Sequence, residues 1–255
     1  MTKRVVLNKD WTERGTSVVL LYHRIGPVKL SSHVAGQYVS PRVLRWGLDG
    51  LRNRGWQCVS LGRCVELGRG EADEGDNFAI TFDDGYLSVY ERACPVLAER
   101  NMTATIYVVV DLLGGINEWD KRAGDTEEPV MSARQARELA DAGFEIGSHT
   151  LTHPHLPGLD DDRLHAEIAD SKHKLEDLIG REVTSFSYPY GNFDARVLAA
   201  TAAAGYKNAV STKLGAVVPG AGLFEIPRVN VRWNGFGWQL RRKIGRAARA
   251  SGLHK

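Results

Sequence analysis

The sequence predicts an α/β fold, a single (β/α) barrel of about seven parallel strands. Three observations carry that expectation. Seven short apolar runs read as strands, stretches of helical periodicity lie between them, and the acids and histidines suited to chemistry fall just past strand-like runs. Barrel enzymes place their active residues at such strand C-terminal ends. At 255 residues with 43% hydrophobic content the chain can bury a full core, and α/β barrels of this length are normally single domains.

Taken in order, strands are expected near 18–23, 78–83, 104–110, 144–147, 184–188, 206–211 and 224–231. Helices are expected at 41–54, 90–100, 132–142, 160–179 and 194–204. Ser40 precedes Pro41 as a cap, Ser132 stands three residues before Gln135 as in a capping box, and Gly55, Gly143, Gly180 and Gly205 mark far ends. Residues 112–128 form a long polar loop, and residues 62–76, glycine-rich and increasingly acidic, read as an exposed connector. The division that follows is an N-terminal extension at 1–16, the barrel at 17–231 and a basic amphipathic helix at 232–255.

The run Ala79-Ile80-Thr81-Phe82-Asp83-Asp84-Gly85 ends an apolar strand in two adjacent acids and a glycine that turns the backbone. One acid can hold a metal while its neighbour, facing another direction, takes a proton from water. By itself the triplet reads more simply as a solvated turn, since Asp and Gly are turn residues. The stretch from Phe144 through His149, His153 and His155 changes that balance, because it again runs from an apolar segment into imidazoles. His149 and His153 can converge on one ion, and with a carboxylate they make a set that leaves positions open for water and substrate. For His155, His165 and His173 a hydrogen-bonded or exposed role is the favoured reading.

In these motifs the chain resembles the polysaccharide deacetylase family, carbohydrate esterase family 4. The first motif of that family, Thr-Phe-Asp-Asp-Gly, is met by Thr81 to Gly85, and the second, His-Ser/Thr-x-x-His, by His149 to His153. The third, Arg-x-Pro-Tyr-Gly, is met in part by Ser187-Tyr188-Pro189-Tyr190-Gly191. The resemblance covers roughly residues 17–230 and implies a distorted barrel of the polysaccharide-deacetylase type. It further implies that Asp84, His149 and His153 hold a divalent metal, that Asp83 is the catalytic base, and that the Tyr190 N–H faces the oxyanion. Pro189 and Tyr190 would border the substrate. Trp119, on the long loop, would either stack on a sugar ring or pack the loop onto the barrel.

Two departures from the family pattern stand out. Ser187 replaces the arginine of the third motif; Arg228 either supplies that charge from a late strand or is an ordinary rim arginine. The histidine that ends the last motif and serves as general acid is also missing, since none occurs between His173 and His254. His23, at the end of the strand-like run from Val18, is the expected substitute, because first and last strands are neighbours in a closed barrel. Here the chain resembles the subfamily that opens with a Tyr-His motif. The plainer reading is a strand-end histidine satisfied by backbone.

The expected function is a metal-dependent hydrolase that removes an N-acetyl group from an amino sugar of a polysaccharide, oligosaccharide or glycoconjugate precursor. Alternatives are an O-deacetylase or deformylase acting on a lipid-linked sugar, and a noncatalytic carbohydrate-binding barrel. The two imidazoles favour zinc, while cobalt, nickel, manganese or iron also suit the set. Between 226 and 255 there are eight Lys/Arg and no acid, against 25 basic and 31 acidic groups before them. Phe236, Leu240, Ile244 and Ala247 recur at helical spacing there, which suits either a peripheral contact with an anionic membrane or, the favoured reading, docking across the barrel bottom. No nucleic-acid motif accompanies the charge. Cys58, Cys64 and Cys94 form no disulfide-like set, and the N terminus has no signal-like apolar run, so a cytoplasmic protein is expected.

Overall fold

The computed structural model describes residues 15–70 and 75–253. The expected extension at 1–16 therefore lies almost wholly outside the described residues. In chain order the elements are β1 (Ser17–Tyr22), β2 (Arg24–Ile25), β3 (Tyr38–Val39), α1 (Pro41–Arg52), β4 (Gln57–Cys58), α2 (Leu61–Gly68) and β5 (Asn77–Phe82). There follow α3 (Cys94–Ala98), β6 (Thr105–Val108), α4 (Glu118–Arg122), α5 (Ala133–Asp141), β7 (Glu145–Ser148), α6 (Asp161–His165) and α7 (Ser171–Ile179). The last are β8 (Ser185–Ser187), α8 (Ala195–Ala203), β9 (Asn208–Val210), β10 (Val229–Asn230) and α9 (Gly237–Ala250).

Seven strands form one parallel sheet in the order β10–β1–β5–β6–β7–β8–β9, with β4 added beside the start of β5. This is the α/β architecture the alternating pattern predicts. β1 and β5 are buried at every position, which is why both read as near-continuous apolar runs. The sheet curls into a half-barrel. Ile226 bridges Val210 of β9, while Val229 and Asn230 pair with Leu20 and Leu21 of β1, so the segment 226–230 links the two edges. First and last strands are thus neighbours, and the register Tyr22↔Phe82 sets His23 level with Asp83.

The helices start where local chemistry dictates. Ser40 accepts a hydrogen bond from the Val43 N–H at 3.2 Å with Pro41 at the first helical position. Ser132 and Gln135 complete a capping box on α5, and Gly180 closes α7 in the left-handed conformation. α1 buries Leu44, Leu48 and Leu51, each worth about 1.5–3 kcal/mol. α6 and α7 are joined through a π-helical turn at Ala166–Asp170, giving the long helix expected over 160–179.

Two expectations need correction. Much of the supposed connector at 62–76 is helix: Ser60 caps α2, whose Leu61, Cys64, Val65 and Leu67 are buried. These side chains pack with Val19, Ala79, Tyr107 and Val210, so α2 closes the N-terminal end of the barrel. The spacing of Leu61, Cys64 and Val65 carried the helical signal, but Gly62 and Gly68 masked it. Second, α9 docks beside α1 rather than across the barrel bottom. A Cβ on Gly47 would stand 3.1 Å from the Gly235 carbonyl and 3.3 Å from Leu240, so glycine lets the two helices approach more closely than a larger residue would without a shift of its neighbours. Leu240, Ile244 and Ala247 are buried there, and the apolar stripe of α9 is not available to a lipid surface. Among the described residues no helix is long and apolar enough to cross a membrane.

Candidate active site

The strand ends converge on one cleft of about 320 Å³. β1 delivers His23, β5 delivers Asp83 and Asp84, β7 delivers His149 with His153 four residues on, and the turn after β8 delivers Tyr190. Asp84, Thr150, His153 and Tyr190 have φ of 75°, 71°, 66° and 59°; among the described residues Asn101 is the one other non-glycine with positive φ. Each such residue costs about 1–2 kcal/mol, so this concentration of strain marks a constellation held against local preference. Gly85 completes the turn at φ 68°, where a Cβ would fall 3.0 Å from Val108.

Asp84, His149 and His153 are buried, and their ligand atoms lie within 4.8 Å of one another. The Nε2 atoms of both histidines stand 3.5 Å from Asp84 Oδ1. His149 Nδ1 lies 2.7 Å from the Ser187 carbonyl; as donor there, it leaves the Nε2 lone pair facing the cluster. His153 packs its ring on Trp119 at 4.6 Å and edge-on to Tyr190 at 4.6 Å. Burial would raise the Asp84 pKa, yet the His149 hydrogen bond and the neighbouring imidazoles hold it well below the usual carboxylate range. Burial, aided by His149, pushes His153 down to about 3, so its imidazole is neutral. A buried carboxylate and two nitrogen donors aimed at one point fit a divalent ion with N and O ligands.

Beside this cluster, Asp83 is held by Arg228 in a buried two-pronged ion pair, with both N–O distances 2.7 Å. Arg228 also donates to the Ser211 carbonyl, Thr81 Oγ1 and Ser187 Oγ at 2.8, 3.1 and 3.1 Å. Ser187 in turn donates to Asp83 Oδ2 at 3.2 Å. Burial would raise the Asp83 pKa; the Arg228 charge, with His149, outweighs it, and the carboxyl titrates below its ordinary range. The small side chain at the third-motif position thus leaves room for a guanidinium that arrives from the segment before β10. Of the two readings of Arg228, the geometry is that of a buried carboxylate partner.

The remaining expected residues divide. His23 is partly buried in the cleft with Nδ1 unpartnered; burial, outweighing Asp84 and Asp83, lowers its pKa. The Tyr190 N–H makes no hydrogen bond to the described residues, and its ring, stacked on His155 at 4.0 Å, is 45% exposed. Trp119 lines the cleft and also packs on Tyr86. Pro189, expected to border substrate, is buried and does not line the cleft; it opens the turn that places Tyr190.

Sequence reading missed Arg24 and Asp120. Arg24 is 2% exposed and pairs with Asp120, donating also to Tyr86 Oη at 2.6 Å and Gln37 Oε1 at 2.9 Å. Tyr86 and Asn117 each donate to Asp120 Oδ2 at 2.9 Å. This network ties the long loop to the end of β1 and holds Trp119 against His153. The one local signal was an arginine directly after a buried strand.

With the geometry in place, relatives are informative. The family model for polysaccharide deacetylases matches residues 70–209. The Bacillus subtilis protein YxkH, assigned as a polysaccharide deacetylase, is 36% identical over 152 residues, 60% of this chain and 50% of that protein. The poly-beta-1,6-N-acetyl-D-glucosamine N-deacetylase of Staphylococcus epidermidis is 27% identical over 177 residues, 62% of this chain and 58% of that protein. The chain thus spans about half the length of these curated relatives. Among solved structures, Streptococcus pyogenes deacetylase PplD in complex with acetate shares the fold with TM-score 0.76 at 22% identity, covering 90% of this chain and 98% of that one. A polysaccharide deacetylase from Bacillus cereus gives TM-score 0.75 at 25% identity, covering 91% and 69%. The strand-end motifs, the fold and a family match across more than half the chain agree: this chain belongs to the polysaccharide deacetylase family.

Proposed function

We propose that the chain is a metal-dependent hydrolase that removes the N-acetyl group from an amino sugar in a glycan or glycoconjugate. The observation that carries this reading is the buried Asp84, His149 and His153 cluster beside a separate carboxylate, Asp83, held by Arg228. A noncatalytic barrel has no need of a strained, buried donor set next to an oriented base. The N-deacetylase from Staphylococcus epidermidis supports the amide as the bond cleaved.

Asp84, His149 and His153 would hold the ion, and zinc suits the two imidazoles and one carboxylate best. When bound, such an ion supplies a Lewis acid toward water and the acyl oxygen. Asp83, ionised and fixed by Arg228, accepts the proton of the attacking water. The free Tyr190 N–H donates to the oxygen that gains charge in the tetrahedral transition state, a contribution of about 10²–10³ in rate for a donor of this kind. His23 gives a proton to the departing nitrogen; burial makes its imidazolium a stronger acid. On this reading the role of His23 is the one expected from the resemblance to the subfamily with an N-terminal Tyr-His motif.

Acetate release from N-acetylated oligosaccharides by zinc-loaded protein tests the reading, with Asp83→Asn and His23→Ala alongside. Asp83→Asn is expected to lower kcat/KM about 10²–10⁴-fold with zinc still bound. His23→Ala is expected to depress amide cleavage much more than cleavage of an activated acetate ester, whose leaving group needs no proton. Zinc binding with no release from any oligosaccharide would remove the proposed substrate class.

A further inference from the structure

A second cavity, of about 130 Å³, adjoins the catalytic cleft, and the two share Thr212 and Asn230 as a wall. Its other sides are Leu214, Arg228 and, from α9, Lys243 and Arg246. Three of these six side chains are cationic and none is acidic. All five N–H groups of Arg228 are engaged by Asp83, Thr81, Ser187 and Ser211, so that charge is already neutralised. Lys243 and Arg246 are different. Lys243 Nζ donates to the Asn230 carbonyl at 3.0 Å, which leaves it two further hydrogens. Among the described residues neither Lys243 nor Arg246 pairs with a carboxylate.

Lys243 is half-buried and Arg246 stands exposed at the cavity mouth; two neighbouring cations without a counter-ion repel each other, and an anion set between them relieves that repulsion. Burial lowers the Lys243 pKa, and the nearby Arg232 and Arg246 lower it further, as expected for an uncompensated positive field. On the shared wall the Asn230 Oδ1 is buried and unpartnered; turned over, the same amide presents Nδ2 as a donor. Thr212 brings a hydroxyl whose one contact, to the Tyr190 carbonyl, is long at 3.4 Å. The cavity therefore offers an ammonium, a guanidinium, a hydroxyl and an amide, the donor set of a compact oxyanion site.

We propose that this cavity binds an anionic group, a phosphate or carboxylate carried by the glycan whose sugar occupies the adjoining cleft. The substrate is then an anionic glycan or glycoconjugate. This identity rests on the proposed deacetylation, whereas anion binding does not. Two variants separate these parts: Arg246→Gln, at an exposed position, and the double change with Lys243→Gln.

Inorganic phosphate titrated into the parent protein by calorimetry is expected to saturate, and to bind about tenfold more weakly in the double variant with unchanged thermal unfolding. No saturable binding in the parent, or equal binding in all three proteins, overturns the site. In kinetics, the ratio of kcat/KM for a phosphorylated over a neutral N-acetylated oligosaccharide should fall about tenfold in Arg246→Gln, through KM. An equal loss on both substrates, or phosphate that binds without competing with the phosphorylated one, overturns the glycan as its carrier. Phosphate binding lost in the variants, with neither oligosaccharide deacetylated, supports the site and overturns the reaction.

Discussion

Ser187 stands where the family resemblance expects an arginine, and Arg228 brings the missing charge to Asp83 from 145 residues away in sequence. The exchange works because a hydroxyl leaves volume for a guanidinium and also hydrogen-bonds both partners. Arg228 is fully buried and Asp83 shows only an edge to the cleft, so each charge depends on the other. Arg228→Met is expected to lower stability by about 3–5 kcal/mol, since it leaves Asp83 buried and unpaired. Urea unfolding checks this; a loss below about 1 kcal/mol would mean that solvent reaches the carboxylate. Asp83→Asn combined with Arg228→Met should recover part of the loss, because the stranded charge is gone.

At the scale of elements, the end of α1 is clamped to the turn after α3 by Arg100, whose Nε and Nη2 meet the two Asp49 oxygens at 2.9 Å each. The hydrogen bonds from Arg100 lower the Asp49 pKa against the opposing effect of burial. A depressed carboxylate stabilises the fold above its unfolded value, near 3.9, and that contribution disappears as pH falls through the folded value. Asp49→Asn is therefore expected to destabilise by about 0.5 kcal/mol at neutral pH, in the range of solvent-screened pairs. Unfolding followed from neutral pH to about pH 3 should show the parent and variant converge at the acid end. A gap that persists there would assign the effect to packing. The α9–α1 contact is set by packing instead: Gly47 lies against Leu240, and Leu240, Ile244 and Ala247 are buried, while Lys243 and Arg246 of α9 line the cavity beside the cleft.

For the whole molecule, the cleft joins residues from β1, β5, β7, β8 and the last strand, and a bound ion would tie the ends of β5 and β7 together across β6. Zinc at about 100 times its dissociation constant is expected to stabilise the protein by about 2.7 kcal/mol. Thermal unfolding with zinc and with chelator measures this as a rise in Tm. His153→Ala should abolish the rise, and a rise that survives in the variant would locate the ion elsewhere. Asp84 and His149 belong to strand ends and were legible, because the acids and imidazoles follow apolar runs directly. Arg24 and Asp120 were not legible, because a half-buried pair spanning 96 residues has no local pattern.

Periodicity, capping and turn chemistry act within a few residues, so the α/β class, the serine-capped helices and the motif residues at strand ends could be read along the chain. The same local patterns left α2 hidden behind its glycines and the use of the α9 stripe undecided. Only the folded chain brings Arg228 to Asp83, ties Arg24 to the loop through Asp120, sets Pro189 under the site rather than in it, and turns α9 toward α1. Each of these depends on how the curled sheet brings its two edges together, and on charges that leave water only when their partners are already in place.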